Sequence, residues 1–444
     1  MTEKTSPANF SWLASWRIYL QPASLRMLLL GFAAGLPLLL VLGTLSFRLR
    51  EAGIDRSTIG YLSWVGLAYG FKWVWAPLVD RFDAPLLGRL GRRRSWMALS
   101  QLVTIAGLAG MAWLTPQGGL TAFALLALVT AFASATQDIV IDAWRIESAD
   151  NGEEQALLTA ATQLGYRAAL LITDALILIL AAGVGWAVSY QWMALLMSLG
   201  LIATWRAREP ANSTTAGTTA PLSLASLGAM IISPLKLFFV QHGATALLML
   251  AAISLYRLPD FVLGPMANPF YADLGIAKET VGAVRASFGL VATFAGIAAA
   301  GLAAIRFGLV PTLLAGAVLG PASNLAFAAL AWHGPDPLWF ASAMVIDNFA
   351  TGFAGTALVA YMSSLIGLGY TATQYALLSS FYALLGKTLK GFSGATVEAL
   401  QAASTPMDGY ALFFVGTAVI GLPALLLTAW LTQRTPSTRS SAPP

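Results

Sequence analysis

The sequence has no cysteine, only 2 histidines and 10% charged residues across 444 positions. Without cysteine there is no disulfide framework, no thiolate metal site and no thiol nucleophile. The two histidines, His242 and His333, fall near the ends of apolar segments and offer no metal-ligand spacing. No Gly-x-x-x-x-Gly-Lys-Ser/Thr run occurs, which disfavours an ATP-driven pump. Soluble domains carry about 25% charged residues. The scarcity of charge therefore argues against a soluble enzyme, a disordered chain and a nucleic-acid reader.

What the sequence has instead is apolar length. Hydrophobic residues make up 57% of the chain, and its mean hydropathy is +0.72. That is enough for about a dozen spans of ~20 residues. The 41 glycines and 21 prolines also fit, because membrane helices tolerate both better than soluble ones do. The expected architecture is an all-α membrane protein of twelve transmembrane helices. They begin near Met27, Thr58, Ser95, Leu120, Gln155, Trp186, Gly243, Glu279, Leu309, Leu338, Tyr370 and Tyr410. Residues 1–25 contain Trp12, Trp16, Tyr19 and Arg17 and read as a cytoplasmic interfacial segment, not a cleaved signal peptide. The Ser/Thr/Gly/Pro run from Ala211 to Pro221 has the composition of a flexible linker. The expected division is a six-helix bundle over 26–207, a cytoplasmic linker over 208–235, a second bundle over 236–433 and a cytoplasmic tail over 434–444.

The net charge is +5, and its positions explain it. With the N-terminus in the cytoplasm, fifteen basic residues lie inside, including Arg81, Arg89, Arg92, Arg93, Arg94, Arg145, Arg206 and Arg208. Only four, Arg48, Arg50, Arg56 and Lys278, lie outside. The positive-inside rule then places both termini in the cytoplasm. The halves also echo each other. Leu36-Pro37 recurs as Leu258-Pro259, and Gly53-Ile54 with Gly60 recurs as Gly275-Ile276 with Gly282, each 222 residues apart. Parallel repeats of six spans are the pattern of major facilitator transporters.

Charges inside a membrane are costly and mark candidate functional positions. The basic set within spans is Lys72, Arg167, Arg257, Arg285, Lys387 and Lys390, and the acidic set includes Asp138, Asp142, Asp174, Asp260 and Asp347. Asp138 and Asp142 are one turn apart on a helix face. Such close carboxylates repel, and a proton on one relieves that repulsion, so they are candidates for proton coupling. The alternative is a cytoplasmic-end charge cluster that pairs with Arg145 or a loop arginine. Arg167, Arg257 and Arg285 are candidate carboxylate grips. Their alternative is internal pairing, such as Arg257 with Asp260 at i,i+3. Asp80-Arg81 followed by Arg92-Arg93-Arg94 reads as a conformational latch at the cytoplasmic surface.

Longer runs carry a resemblance. Ser134-Ala135-Thr136-Gln137-Asp138-Ile139-Val140-Ile141-Asp142-Ala143-Trp144 and Tyr370-Thr371-Ala372-Thr373-Gln374-Tyr375 resemble the AmpG muropeptide permeases, a major facilitator family. So do Leu30-Gly31-Phe32, Phe71-Lys72 with Trp75 to Arg81, Leu164-Gly165-Tyr166-Arg167, Ser323-Asn324 and Asp347-Asn348. The resemblance implies a bacterial inner-membrane, proton-driven importer of N-acetylglucosaminyl-1,6-anhydro-N-acetylmuramyl peptides for peptidoglycan recycling, which in many bacteria feeds β-lactamase induction. It implies no enzyme activity and no cofactor, the proton being the coupling ion. The expected partners are an anionic glycopeptide substrate and the lipid bilayer, with no nucleic acid, and the protein is expected to be a monomer. The expected substrate-binding set is Lys72, Gln137, Arg167, Arg257, Asp260, Arg285, Asn324, Asp347, Asn348, Gln374 and Lys387. The chain departs from the family in Pro259 before Asp260, in Lys390 and in Asp174. Related families move acetyl-CoA or deliver bacteriochlorophyll, so a porter for another anionic conjugate stays open, as does a transporter-like scaffold or sensor.

Overall fold

The computed structural model describes residues 17–54, 56–210, 232–233, 236–241, 243, 245–367 and 370–434. Most of the expected surface segment 1–25, linker 208–235 and tail 434–444 lies outside the described residues. Every regular element among the described residues is helical. The chain separates into two compact units. One comprises 1–69, 83–149 and 157–211, and the other 70–82, 150–156 and 212–444. Two stretches of the first half of the sequence thus group with the second unit.

The first unit is built from α1 (Pro22–Leu40), α2 (Gly43–Glu51), α3 (Arg92–Trp113), α4 (Leu120–Ser148), α5 (Gly152–Leu171, whose first turn belongs to the second unit) and α6 (Ile177–Arg206). Helix α3 packs on α4 and α6, and α1 packs on both of those. Leu36, Leu40, Met111, Phe123 and Met197 fill the core between them. Helices α1 and α5 cross at Gly31 and Gly165. A methyl on Gly31 would strike the Thr162 carbonyl, and one on Gly165 would strike the Leu28 carbonyl. Small residues permit this backbone-to-backbone approach, so these two motif glycines have a packing role. Gly185, with φ 81° and ψ 165°, breaks α6 just before Trp186, where the sequence places the start of a span.

The second unit contains α7 (Thr245–Tyr256), α8 (Leu258–Asp273), α9 (Leu290–Phe307), α10 (Leu309–His333), α11 (Pro337–Ser364), α12 (Thr371–Leu389), α13 (Pro406–Ile420) and α14 (Leu422–Arg434). Helix α11 is flanked by α9 and α10, and α10 also packs on α13. Aromatic rings close this core edge to face, with centroids 4.9 Å apart for Phe270 and Phe414 and 5.0 Å for Tyr271 and Phe340, a geometry that matches their quadrupoles. Helix α11 starts where Asp336 accepts from the Leu338 and Trp339 N–H groups and Pro337 occupies the first turn, a pairing that satisfies orphan donors without needing the proline's missing one.

The sequence repeat has a structural counterpart. Gly53 and Gly275 both have φ 82°. Ile54 N–H donates to the Leu49 carbonyl and Ile276 N–H to the Tyr271 carbonyl, each at 3.0 Å. This is one helix-terminating turn made twice, and it needs a left-handed residue that glycine supplies without strain.

Among the described residues, 9 helical runs are long and apolar enough to cross a membrane. The runs expected from Thr58, Gln155 and Tyr370 fall short. The first is interrupted by 3-10 turns at Ser63–Gly66 and Lys72–Val74. The second carries Glu153, Glu154 and Arg167 and passes into a π turn at Ile172–Leu176. The third carries Lys387 and is interrupted by a 3-10 turn at Lys390–Phe392. Charge and irregular backbone thus occur together in the same three segments.

Candidate functional site

In the first unit the acidic candidates lie on α4. Asp142 Oδ1 is 3.0 Å from Arg145 Nη2, an i,i+3 ion pair, and the Arg145 side chain is fully buried. Arg145 also donates to the Thr159 hydroxyl from α5. Asp142 is therefore held, as the pairing alternative describes. Asp138 is half-buried one turn away, and the half-buried Tyr69 lies within its electrostatic range and beside Ser134. Gln137 is fully buried, and neither polar atom of its amide has a hydrogen-bond partner among the described residues. Arg167 on α5 is half-buried.

The arginine cluster at the start of α3 is internally committed. Arg93 Nη2 lies 2.5 Å from Glu147 Oε1, with both side chains enclosed. Glu209 accepts from the Arg93 and Arg94 backbone N–H groups at 2.7 and 3.0 Å. The Arg94 guanidinium donates to the Trp205 carbonyl at 3.0 Å. Arg92 is buried, and Arg81 stacks on the Phe82 ring 5.4 Å away. Asp80, inside the second unit, caps α12. Its two oxygens accept from the Ala372 N–H at 3.1 Å, the Thr373 N–H at 2.8 Å and the Thr373 hydroxyl at 2.7 Å. A carboxylate there meets both unsatisfied amides and the positive end of the helix dipole.

The second unit brings the largest group of candidates together. Arg257, at the N-terminal boundary of α8, lies 2.5 Å from Asp260 in its first turn. Tyr256 and Tyr382 lie within electrostatic range of the guanidinium. Asp347 on α11 lies within electrostatic range of both Asp260 and Arg257, and Ser323 Oγ is 3.3 Å from its Oδ1. The next residue, Asn348, accepts from the Thr293 hydroxyl at 3.1 Å and donates to the Met344 carbonyl at 2.8 Å. Arg285 donates to Asn268 at 2.6 Å and sits 5.7 Å from the Tyr271 ring. Lys72 and Lys390 lie within electrostatic range of Lys387, which is exposed.

Two amide candidates serve local structure. Asn324 is fully buried and donates to the Thr417 hydroxyl at 3.0 Å. Gln374 accepts from the Gly367 N–H at 2.9 Å. Several participants went unnoticed in the sequence reading, namely Tyr69, Glu147, Thr159, Glu209, Tyr256 and Tyr382. They have no sequence spacing that links them to their partners, and only tertiary packing brings them into place. Among the described residues no group of three His, Asp or Glu side chains forms a metal cage.

Comparison with known proteins places this geometry. The family described as Acetyl-coenzyme A transporter 1 matches residues 24–180. The putative transporter AmpG 4 of Rickettsia felis is 34% identical over 417 residues, covering 91% of this chain and 95% of the relative. The anhydromuropeptide permease of Escherichia coli K12 is 36% identical over 414 residues, covering 93% of this chain and 80% of the relative. Among solved structures, the major facilitator proton:xylose symporter XylE aligns with a TM-score of 0.63 at 12% identity, covering 95% of this chain and 96% of that one. The human organic anion transporter MFSD10 aligns at 0.65 and 14%, covering 95% and 100%. These distant structures establish the fold, and the sequence relatives establish the family. The chain is a multi-pass membrane protein of the major facilitator fold, a transporter and not an enzyme, and it belongs to the AmpG anhydromuropeptide permease family.

Proposed function

We propose that this chain imports GlcNAc-1,6-anhydro-MurNAc peptides across the bacterial inner membrane for peptidoglycan recycling, driven by protons and working by alternating access as a monomer. In this reading the chain makes twelve spans with both termini in the cytoplasm. The observation that carries it is the 36% identity to an anhydromuropeptide permease over 80% of that protein's length. The chemistry supports the substrate class. Such a solute presents peptide carboxylates and sugar hydroxyls. Arg167, Arg285, Lys72 and Lys387 supply cations for the former, and Asn348 and the aromatic side chains suit the latter. Asp138 on α4 is a coupling carboxylate of the first unit, with Asp142 held beside it by Arg145.

Labelled anhydromuropeptide uptake into proteoliposomes, with and without an acid-outside gradient, tests this reading. Accumulation should follow the gradient, and Asp138→Asn should abolish accumulation while leaving protein levels normal. Uptake indifferent to the gradient would remove proton coupling, and no uptake would remove the muropeptide. A second reading, a porter for an acyl-coenzyme A-like conjugate, is favoured by the family match over residues 24–180. Competition of labelled muropeptide uptake by acetyl-coenzyme A separates the two.

A further inference from the structure

The second unit brings a second carboxylate within electrostatic range of one guanidinium–carboxylate pair. Arg257 is engaged by Asp260 at 2.5 Å, and Asp347 feels the charge of both. The other charged and titratable groups near Asp347 are few. Tyr271 reaches it from α8, and Arg285 reaches Tyr271. Arg285 is exposed and already occupied by Asn268 and the Tyr271 ring. Arg257, Asp260 and Asp347 therefore form a trio that carries one net negative charge when both acids are ionised. One proton makes it neutral.

The ion pairing says which acid holds that proton. Asp260 holds the Arg257 guanidinium at 2.5 Å, and Asp347 makes no ion pair among the described residues. It meets the neutral Ser323 hydroxyl, which donates to Asp347 Oδ1 at 3.3 Å and to the Gly320 carbonyl at 2.7 Å. The acid without a cation is the one on which a proton removes the excess negative charge. Arg257 also has room made for it. A methyl on Gly355 of α11 would sit 2.5 Å from Arg257 Nη1, so the glycine leaves a recess against the same helix that carries Asp347.

We propose that Arg257, Asp260 and Asp347 form a proton-exchange centre in which one guanidinium serves two carboxylates, and in which Asp347 carries the proton while Arg257 is held by Asp260. This inference rests on the proton-driven reading above. An O–H bond forms at Asp347 with a proton taken from water on one face of the membrane. It breaks to water on the other face, and Arg257 shifts towards the ionised Asp347 as it does so. Gly355 is a positioning residue whose recess permits the shift.

Infrared difference titration of the full-length protein in lipid vesicles, in an Asp138→Asn background that removes the coupling carboxylate of the first unit, tests the centre without any solute. The spectrum of that background should contain a protonated-carboxyl band. Asp347→Asn should remove it, and so should Asp260→Asn, because Arg257 is then free to pair with Asp347 and hold it ionised. Asp150→Asn, in an exposed turn, should leave it. A band that survives either Asp347→Asn or Asp260→Asn overturns the centre, and Asp260→Asn keeps the test open if Asp347→Asn misfolds. In labelled-muropeptide assays, the ratio of gradient-driven accumulation to equilibrium exchange should fall at least about tenfold in Asp347→Asn and by a smaller factor in Gly355→Ala. An unchanged ratio in Asp347→Asn also overturns the centre. If wild-type protein moves no muropeptide, the proposed function fails while the infrared result still decides the centre. If it moves muropeptide and the band persists in both variants, the centre fails alone.

Discussion

Each unit holds an arginine and an aspartate three residues apart, and the two pairs are built differently. In the first, Arg145 is fully enclosed, Asp142 is 21% exposed, and the arginine's further partner is the neutral hydroxyl of Thr159. In the second, Arg257 and Asp260 are 20% and 16% exposed, and the further neighbour is another carboxylate, Asp347. Identical spacing thus gives two chemistries. A neutral third partner does not compete for the cation and leaves it with its carboxylate. An anionic third partner competes for the cation and makes the pair exchangeable. Spacing identifies the pair, and the residue packed against it decides the role.

The largest test breaks the fixed pair. Arg145→Met leaves the Asp142 carboxylate and the Thr159 hydroxyl without their shared donor. Removing one partner of a buried pair costs about 3–5 kcal/mol. Arg257→Met should cost less than half as much, because both partners of that pair retain some exposure. Thermal unfolding of the two variants in the same detergent gives the comparison, and equal losses would mean that both pairs are structural.

An intermediate effect is expected at Asp80, a carboxylate held by helix amides. Asp80→Asn keeps one oxygen acceptor and loses the charge. The change should cost about 1–2 kcal/mol and speed hydrogen exchange at Ala372 and Thr373 roughly tenfold. Unchanged protection at these amides would show that the carboxylate contributes nothing to the start of α12.

The smallest effect sharpens the exchangeable pair. Ser323→Ala removes the hydroxyl 3.3 Å from Asp347 Oδ1. The protonated-carboxyl band should shift in frequency without being lost, and transport should change less than twofold, in keeping with a single contact of about 1 kcal/mol or less. An unshifted band would mean that the band does not belong to Asp347.

The helical membrane fold was legible because apolar composition and turn chemistry are local properties. The recurrence of Gly53 and Gly275 pointed to one turn used twice, and both have φ 82°. The irregular segments were less legible. Lys72, Arg167 and Lys387 stand in runs that are apolar on average, and averaging hides the 3-10 and π turns that accompany them. Within the site, the Arg257–Asp260 pair was visible as an i,i+3 spacing, whereas for the Asp138 and Asp142 cluster Arg145 was only one of several candidate cations. The Ser323–Asp347 contact joins two helices, and Asp80 meets Thr373 across 293 positions. Such contacts depend on packing and leave no spacing to read.

The Asp80 cap also bears on where the polypeptide can be cut. Residues 70–82 group with 212–444 and not with the sequence that surrounds them. A gene split between codons 211 and 212 would therefore yield a first polypeptide that holds all of one unit, and a second that lacks residues 70–82 and 150–156 of the other. The second fragment alone would present the Ala372 and Thr373 amides with their carboxylate acceptor missing. That fragment should be degraded when made singly and persist when the first is co-expressed, whereas a cut that transfers 70–82 to it as a tethered peptide should rescue it.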